Sequence, residues 1–262
     1  MPADQYFASA AVSNSDLKWI APPYTPAHFA AYKAGEIVKE ETDAMRIGTL
    51  THCCILEPDK MAGSYAIKPE GMNFATKEGK AWKSEQTQTI ISQSHADMIS
   101  RMMNSVWRHP EAKALISGSD RERSLFAQDD DLWLKGRIDC LTKGGNIIAD
   151  LKTCELADLD SVEKAIYSYG YFRQAAYYLR IASLLGLQKS RFVFIFVEKT
   201  PPHCVALYSI TEEALKVGEM EIDASLRLLR FCKESGRWPG RETGINDAGL
   251  PTWALKQLQA IL

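Results

Sequence analysis

The stretch that most narrows what this chain can fold into covers residues 133–154, WLKGRIDCLTKGGNIIADLKTC. Two β-leaning segments, residues 132–141 and 147–153, flank Lys143, Gly144, Gly145 and Asn146. A Gly-Gly centre between such segments is a strong two-residue hairpin signal, because the tight turns that join twisted strands need positive φ at their centre. With Gly144 and Gly145 as the loop, Lys143 pairs with Asn146, and counting back sets Asp139 opposite Asp150 and Arg137 opposite Lys152. Strand side chains alternate with period two. Arg137, Asp139, Leu141, Ile148, Asp150 and Lys152 are therefore expected on one charged face, and Leu134, Ile138, Cys140, Ile147, Ala149 and Leu151 on the other, apolar one.

Directly opposed carboxylates lie about 5 Å apart, and at an effective dielectric of about 20 they repel by roughly 3 kcal/mol. Something must compensate. Either Lys152 and Arg137 neutralise the pair as a surface ion cluster, or Asp139 and Asp150 together hold a divalent cation with Lys152 beside it. Carboxylate and carbonyl oxygens suit Mg2+ or Mn2+, which keep several waters for chemistry.

Asp139, ten intervening residues and then Asp150-Leu151-Lys152 resemble the signature of the PD-(D/E)XK nuclease superfamily. The fuller string GRIDCLTKGGNIIADLKT resembles its RecB-like branch, with Asp150 standing where many members have Glu. A second stretch, RIGTLTHCCILEP, places Gly48 and His52 four apart on one face of a helix expected over residues 43–56. It resembles the Gly-Thr-x-x-His-x-x-x-Leu-Glu-Pro stretch of RecE-type exonucleases, the exonuclease VIII family. That resemblance implies an α/β fold, a PD-(D/E)XK nuclease-like mixed central β-sheet flanked by helices, with His52 as a metal ligand near the paired acids. It also implies metal ligation by Asp139, Asp150 and the carbonyl of Leu151, with catalytic parts for Lys152, Asp139 and Asp150. Glu122, at the start of a strand expected over residues 121–127 just before the hairpin, joins them in both the residue reading and the resemblance, although an exposed pair with Arg121 or Arg123 accounts for it equally well. Gln174 and Tyr178, four apart on a helix, match the Gln-x-x-x-Tyr spacing of RecB-like nucleases and are expected beside the bound strand. Lys77 and Lys80, in a glycine-containing loop entering a helix, and Arg137 complete the expected DNA contacts.

The remaining chain supplies elements for one nuclease domain over residues 1–262. Helices are expected near residues 13–20, over 27–34 after Thr25-Pro26, and over 94–108 with Ser94 and Asp97 resembling a capping box. Pro110 to Gly118 brackets a short helix, residues 159–185 form a helical region broken near Gly170, and Thr211 caps a long helix to about Lys233. RFVFIFVE, residues 191–198, is the nearly continuous apolar strand of a sheet covered on both faces, partnered by residues 204–210. The tail over 238–262 resembles the end of RecE-family domains.

A net charge of −2, from 31 basic and 33 acidic residues, argues against a surface coated by nucleic acid but leaves room for a locally basic groove. The six cysteines show no CxxC or zinc-ribbon spacing and no cluster of the Cas4-like iron-sulfur kind. No secretory signal or bilayer-length apolar run is read, so a cytoplasmic protein without a membrane partner is expected. The resemblance implies an Mg2+-dependent exonuclease, with Mn2+ as a substitute metal, that degrades double-stranded DNA from 5′ ends and leaves 3′ single strands for recombination. It further implies a toroidal homo-oligomer, commonly a tetramer, working beside a single-strand annealing protein of the RecT type. Two other readings stay open at this point: an endonuclease on the same scaffold, and a non-catalytic DNA-binding or assembly protein whose hairpin charges are only an ion cluster.

Overall fold

The computed structural model describes residues 3–38 and 40–259. Four helices open the chain: α1 (Ala3–Ala8), α2 (Asn14–Lys18), α3 (Pro26–Lys33) and α4 (Asp43–Leu56). Ser13 caps α2 in a reciprocal capping box with Asp16, and Thr42 caps α4 by accepting from Met45 N. A 3-10 turn (Pro58–Gly63) leads to β1 (Tyr65–Ile67), α5 (Lys77–Glu85) and β2 (Thr89–Ile91), followed by α6 (Gln93–Arg108) and α7 (Pro110–Ser117). The strands β3 (Ser119–Asp129), β4 (Leu132–Thr142) and β5 (Ile147–Cys154) come next, then α8 (Leu159–Tyr169) and α9 (Tyr171–Leu184). The chain closes with β6 (Arg191–Glu198), β7 (Val205–Ser209), α10 (Glu212–Ser235) and α11 (Thr252–Gln259).

Five strands form one mixed sheet in the order β3-β4-β5-β6-β7, in which β5 and β6 run parallel and every other neighbour is antiparallel. This is the expected α/β architecture of a mixed central sheet between helices. The parallel pair requires a crossover, which α8 and α9 supply, and Gly170 breaks that crossover with φ +68 where an L side chain would be strained. β6 shows why its sequence is apolar throughout. Val193, Ile195 and Val197 pack with α4, α6 and α7 residues such as Leu50, Met102 and Ile116, while Phe192, Phe194 and Phe196 pack with Val162, Ala175 and Ala182 of α8 and α9.

The hairpin register follows the Gly-Gly count: Cys140 pairs with Ala149 and Leu141 with Ile148. Beyond those pairs β4 and β5 separate, and the expected facing of residues 134–152 needs correction. Cys140, Ala149 and Leu151 share the α4/α6 face, but Ile138 lies with Ile148 on the α8/α9 face and Leu134 packs with Ala176 and Tyr177 of α9. Arg137 consequently turns to the α4 side, where it meets Glu57 and Glu122, and does not face Lys152. The cause is local. Glu122 adopts a left-handed conformation, φ +50, and the β3–β4 ladder skips the Glu122/Asp139 step while keeping its register on both sides. One left-handed residue re-aims the strand, which a period-two reading cannot anticipate.

Smaller corrections are few. Ser92, not Ser94, caps α6, because its hydroxyl accepts from His95 N, and Asp97 is held by Gln93. Gly48 is not demanded by crowding, since an added Cβ would meet Thr153 Oγ1 at an ordinary 3.5 Å. The tail reading extends over 260–262, which lie outside the described residues. Among the described residues, no helix is long and apolar enough to cross a membrane.

Candidate active site

The separation of β4 from β5 opens a cleft, and the chain fills it with charge. Asp139 Oδ2 enters the gap and accepts the backbone N–H of Leu151 at 2.9 Å, taking the place of a ladder bond. The same oxygen lies 3.3 Å from His52 Nδ1 on α4. His52 also hydrogen-bonds the carbonyl of Leu151. Burial, reinforced by the Lys152 ammonium, pushes the His52 pKa down to about 4, so the imidazole is neutral at pH 7 and has a lone pair to give. Glu122 brings a third group, and one ligand atom each from His52, Glu122 and Asp139 lies within 4.8 Å of the others. Neighbouring ligands of an octahedral ion bound at about 2.1 Å sit about 3 Å apart, so a small contraction suffices to close this trio on a cation.

Asp150 stands on the next strand, buried, with Oδ1 accepting from Gln174 Nε2 of α9 at 2.7 Å. Its Oδ2 is paired with the Lys152 ammonium. A divalent cation is a further partner that the surrounding oxygens suit. Lys152 rests on aromatic rings, 4.9 Å from the centroid of Tyr171 and 5.6 Å from that of Phe194. Burial alone would lower the Lys152 pKa, but Asp150 and Asp139 outweigh it and raise it, which keeps the ammonium charged at neutral pH.

The acids push against each other. Burial first, and then the Asp150 charge, raise the Asp139 pKa well above the usual carboxylate range. Burial also raises Glu122, although Arg137 partly offsets it through their ion pair. Tyr178 is held as a neutral phenol by burial and by Asp150. Its ring explains Gly136: a Cβ there would sit 3.1 Å from the Tyr178 ring and 3.2 Å from Ile181, so the glycine lets α9 approach β4.

The structure thus gathers His52, Glu122, Asp139, Asp150, the Leu151 backbone, Lys152, Gln174 and Tyr178 around one cleft. It does not bring in all the residues expected there. Lys77 and Lys80 are exposed on α5, and among the described residues no hydrogen bond or ion pair ties them to the cleft. Arg137 is committed to Glu122 and Glu57 and to a 3.4 Å bond with Ser124. Sequence reasoning missed Glu57, the acid of the Leu-Glu-Pro end of α4, which lies 3.6 Å from Arg137. It also missed the Tyr171 and Phe194 platform, which no local pattern distinguishes from ordinary core.

A mixed five-stranded sheet between helical layers, with an acid on one strand and Asp-x-Lys on the next, defines the PD-(D/E)XK-like class. The chain belongs to the family described as PDDEXK-like domain of unknown function (DUF3799), whose pattern matches residues 13–247. No curated protein matches it. Among solved structures, a candidate exonuclease from Eubacterium rectale has the same fold, with a TM-score of 0.67, 97% of each chain covered and 14% identity. LHK-Exo, solved in complex with dAMP, aligns at TM-score 0.42 and 12% identity over 89% of this chain and 98% of its own. A phage-related exonuclease from Haemophilus somnus 129PT aligns at TM-score 0.39 and 13% identity over 88% and 98%.

Proposed function

We propose that this protein is a divalent-metal-dependent nuclease that hydrolyses DNA phosphodiesters in the cleft between β4 and β5. The observation that carries the reading is the convergence of His52, Glu122 and Asp139 within 4.8 Å, beside a buried Asp150 paired with Lys152. His52, Glu122, Asp139, Asp150 and the Leu151 carbonyl are the groups that would hold Mg2+ or Mn2+. When bound, such an ion lowers the pKa of an attacking water and neutralises charge building on the phosphate. Lys152, charged and fixed over Tyr171, donates to the phosphoryl oxygens and orients the water; as an ammonium it is a donor, not a proton acceptor. Gln174 fixes the Asp150 carboxylate, and the neutral Tyr178 hydroxyl offers a donor to the strand.

Within that reading we further propose the finer activity that the sequence resemblance suggests. The enzyme is an exonuclease acting on double-stranded DNA from 5′ ends, leaving 3′ tails for annealing by a RecT-type partner in the cytoplasm. A toroidal homo-oligomer would reconcile a net charge of −2 with DNA binding, since only its channel need be basic. Digestion of 5′- and 3′-labelled linear duplex and of covalently closed circles with Mg2+ tests it. Early release of the 5′ label and resistance of the circles are expected. Early loss of the 3′ label would reverse the polarity, and efficient cutting of the circles would make the enzyme an endonuclease.

A further inference from the structure

Strand β3 reads Asp120-Arg121-Glu122-Arg123 where it passes the cleft, an alternation that in most strands would pair within itself. Here both acids are taken by other cations. Asp120 pairs with Lys143 at 3.4 Å across the β3–β4 ladder, and Glu122 pairs with Arg137. Arg121 and Arg123 are left exposed, with no ion pair or side-chain hydrogen bond among the described residues. They lie on an edge strand, since β3 has β4 on one side and no strand on the other among the described residues.

The left-handed turn at Glu122 also separates them. Residues two apart on a regular strand share a face. Arg121, however, is opposite Cys140, which packs toward α4 and α6, while Arg123 is opposite Ile138, which packs toward α8 and α9. The two guanidinium groups therefore straddle the sheet edge on either side of Glu122, one of the trio able to hold the ion. Guanidinium groups match phosphate geometry with paired donors and stay charged at any working pH. An edge next to a phosphodiester-cleaving cleft is where a strand must enter or leave.

We propose that Arg121 and Arg123 are positioning residues that grip backbone phosphates of the DNA strand on either side of the scissile one, a role that rests on the nuclease reading above. The competing explanation is that edge charges only discourage sheet-to-sheet association, and the two make different measurable claims. Each phosphate contact contributes about 0.9 to the slope of log Kd against log salt for duplex DNA.

The test is fluorescence-anisotropy binding of a short blunt-ended duplex across a salt series, with EDTA present to stop cleavage. The parent protein is compared with the double variant Arg121→Ala/Arg123→Ala and with Arg227→Ala on the exposed side of α10 as a control. The expected result is a slope reduced by about 1.8 in the double variant, affinity weakened at least tenfold at low salt, and a parental slope in Arg227→Ala. Arg121→Lys/Arg123→Lys should recover most of the slope, since charge is kept, which a merely structural role would not require. Parent binding with an unaltered slope in the double variant, with or without increased aggregation, would overturn the arginine assignment alone. A parent that binds no duplex here and releases no nucleotide with Mg2+ or Mn2+ would overturn the nuclease reading and this inference with it, and one that binds none here yet releases nucleotide with Mg2+ would overturn the arginine assignment alone.

Discussion

Asp139 collects its neighbours from two other strands and a helix: the Leu151 amide of β5, Glu122 of β3 and His52 of α4. Without a cation, burial first and then the charges of Asp150 and Glu122 disfavour its ionised form. Asp139→Asn keeps the size and can still accept from Leu151, yet removes one of the repelling charges. The metal-free variant is therefore expected to melt higher than the parent, by about 2–4 °C for each kcal/mol of repulsion relieved in a chain of this size. Mn2+ should raise the melting temperature of the parent by several degrees and that of the variant much less, because binding to the folded state alone stabilises it. Differential scanning fluorimetry with EDTA and with Mn2+ measures both, and a variant that gains as much from Mn2+ as the parent would remove Asp139 from the ligand set.

At the scale of elements, the site depends on how closely helices meet the sheet and each other. Gly218 of α10 crosses α9 so tightly that a Cβ would lie 2.8 Å from Phe172 O and 2.9 Å from Ala176 Cβ. Backbone cannot yield as a flexible side chain does, so Gly218→Ala is expected to cost about 1–3 kcal/mol, read as a lower urea midpoint. Gly136→Ala presses on the Tyr178 ring, and it should depress nuclease turnover more than it depresses the urea midpoint. The elements were unevenly legible in the sequence. The end of α4 and the break at Gly170 followed from proline and glycine, which act locally. The hairpin register followed from Gly144-Gly145 for the same reason. The three-residue strands β1 and β2 are too short to show any period. The turn-over of β4 at Asp139 was invisible because its cause lies in the backbone of Glu122, a residue type that gives no warning of positive φ. Asp139 still feels the charge of Asp150 although the ladder ends at the Cys140–Ala149 pair, whereas Arg137 turns to Glu57 and Glu122.

The whole molecule is tied across its layers by a charge network remote from the cleft. Asp129, at the end of β3, accepts from Arg180 of α9 at 2.6 Å and from Arg230 of α10 at 2.9 Å, and Arg180 also reaches Asp223. Burial alone would raise the Asp129 pKa, but hydrogen bonds from the two arginines outweigh it and hold the carboxyl below its usual value. A depressed folded pKa contributes stability that is complete above the unfolded value and is lost as pH falls through the folded one. Acid unfolding should thus soften in Asp129→Asn, which is expected to cost about 1.5–3 kcal/mol near neutral pH and progressively less below the usual carboxylate range. Denaturant titrations at a series of pH values check it, and a cost independent of pH would exclude the linkage. Where β4 and β5 part, the protein is expected to act as a cation-assisted phosphodiesterase. The most direct measurement is nucleotide release from linear duplex by the parent and by Lys152→Ala, with Mg2+ or Mn2+ and again after EDTA. Release that EDTA abolishes and that Lys152→Ala lowers at least about 100-fold is expected; release indifferent to both EDTA and Lys152→Ala, or no release by the parent with either metal, would contradict it.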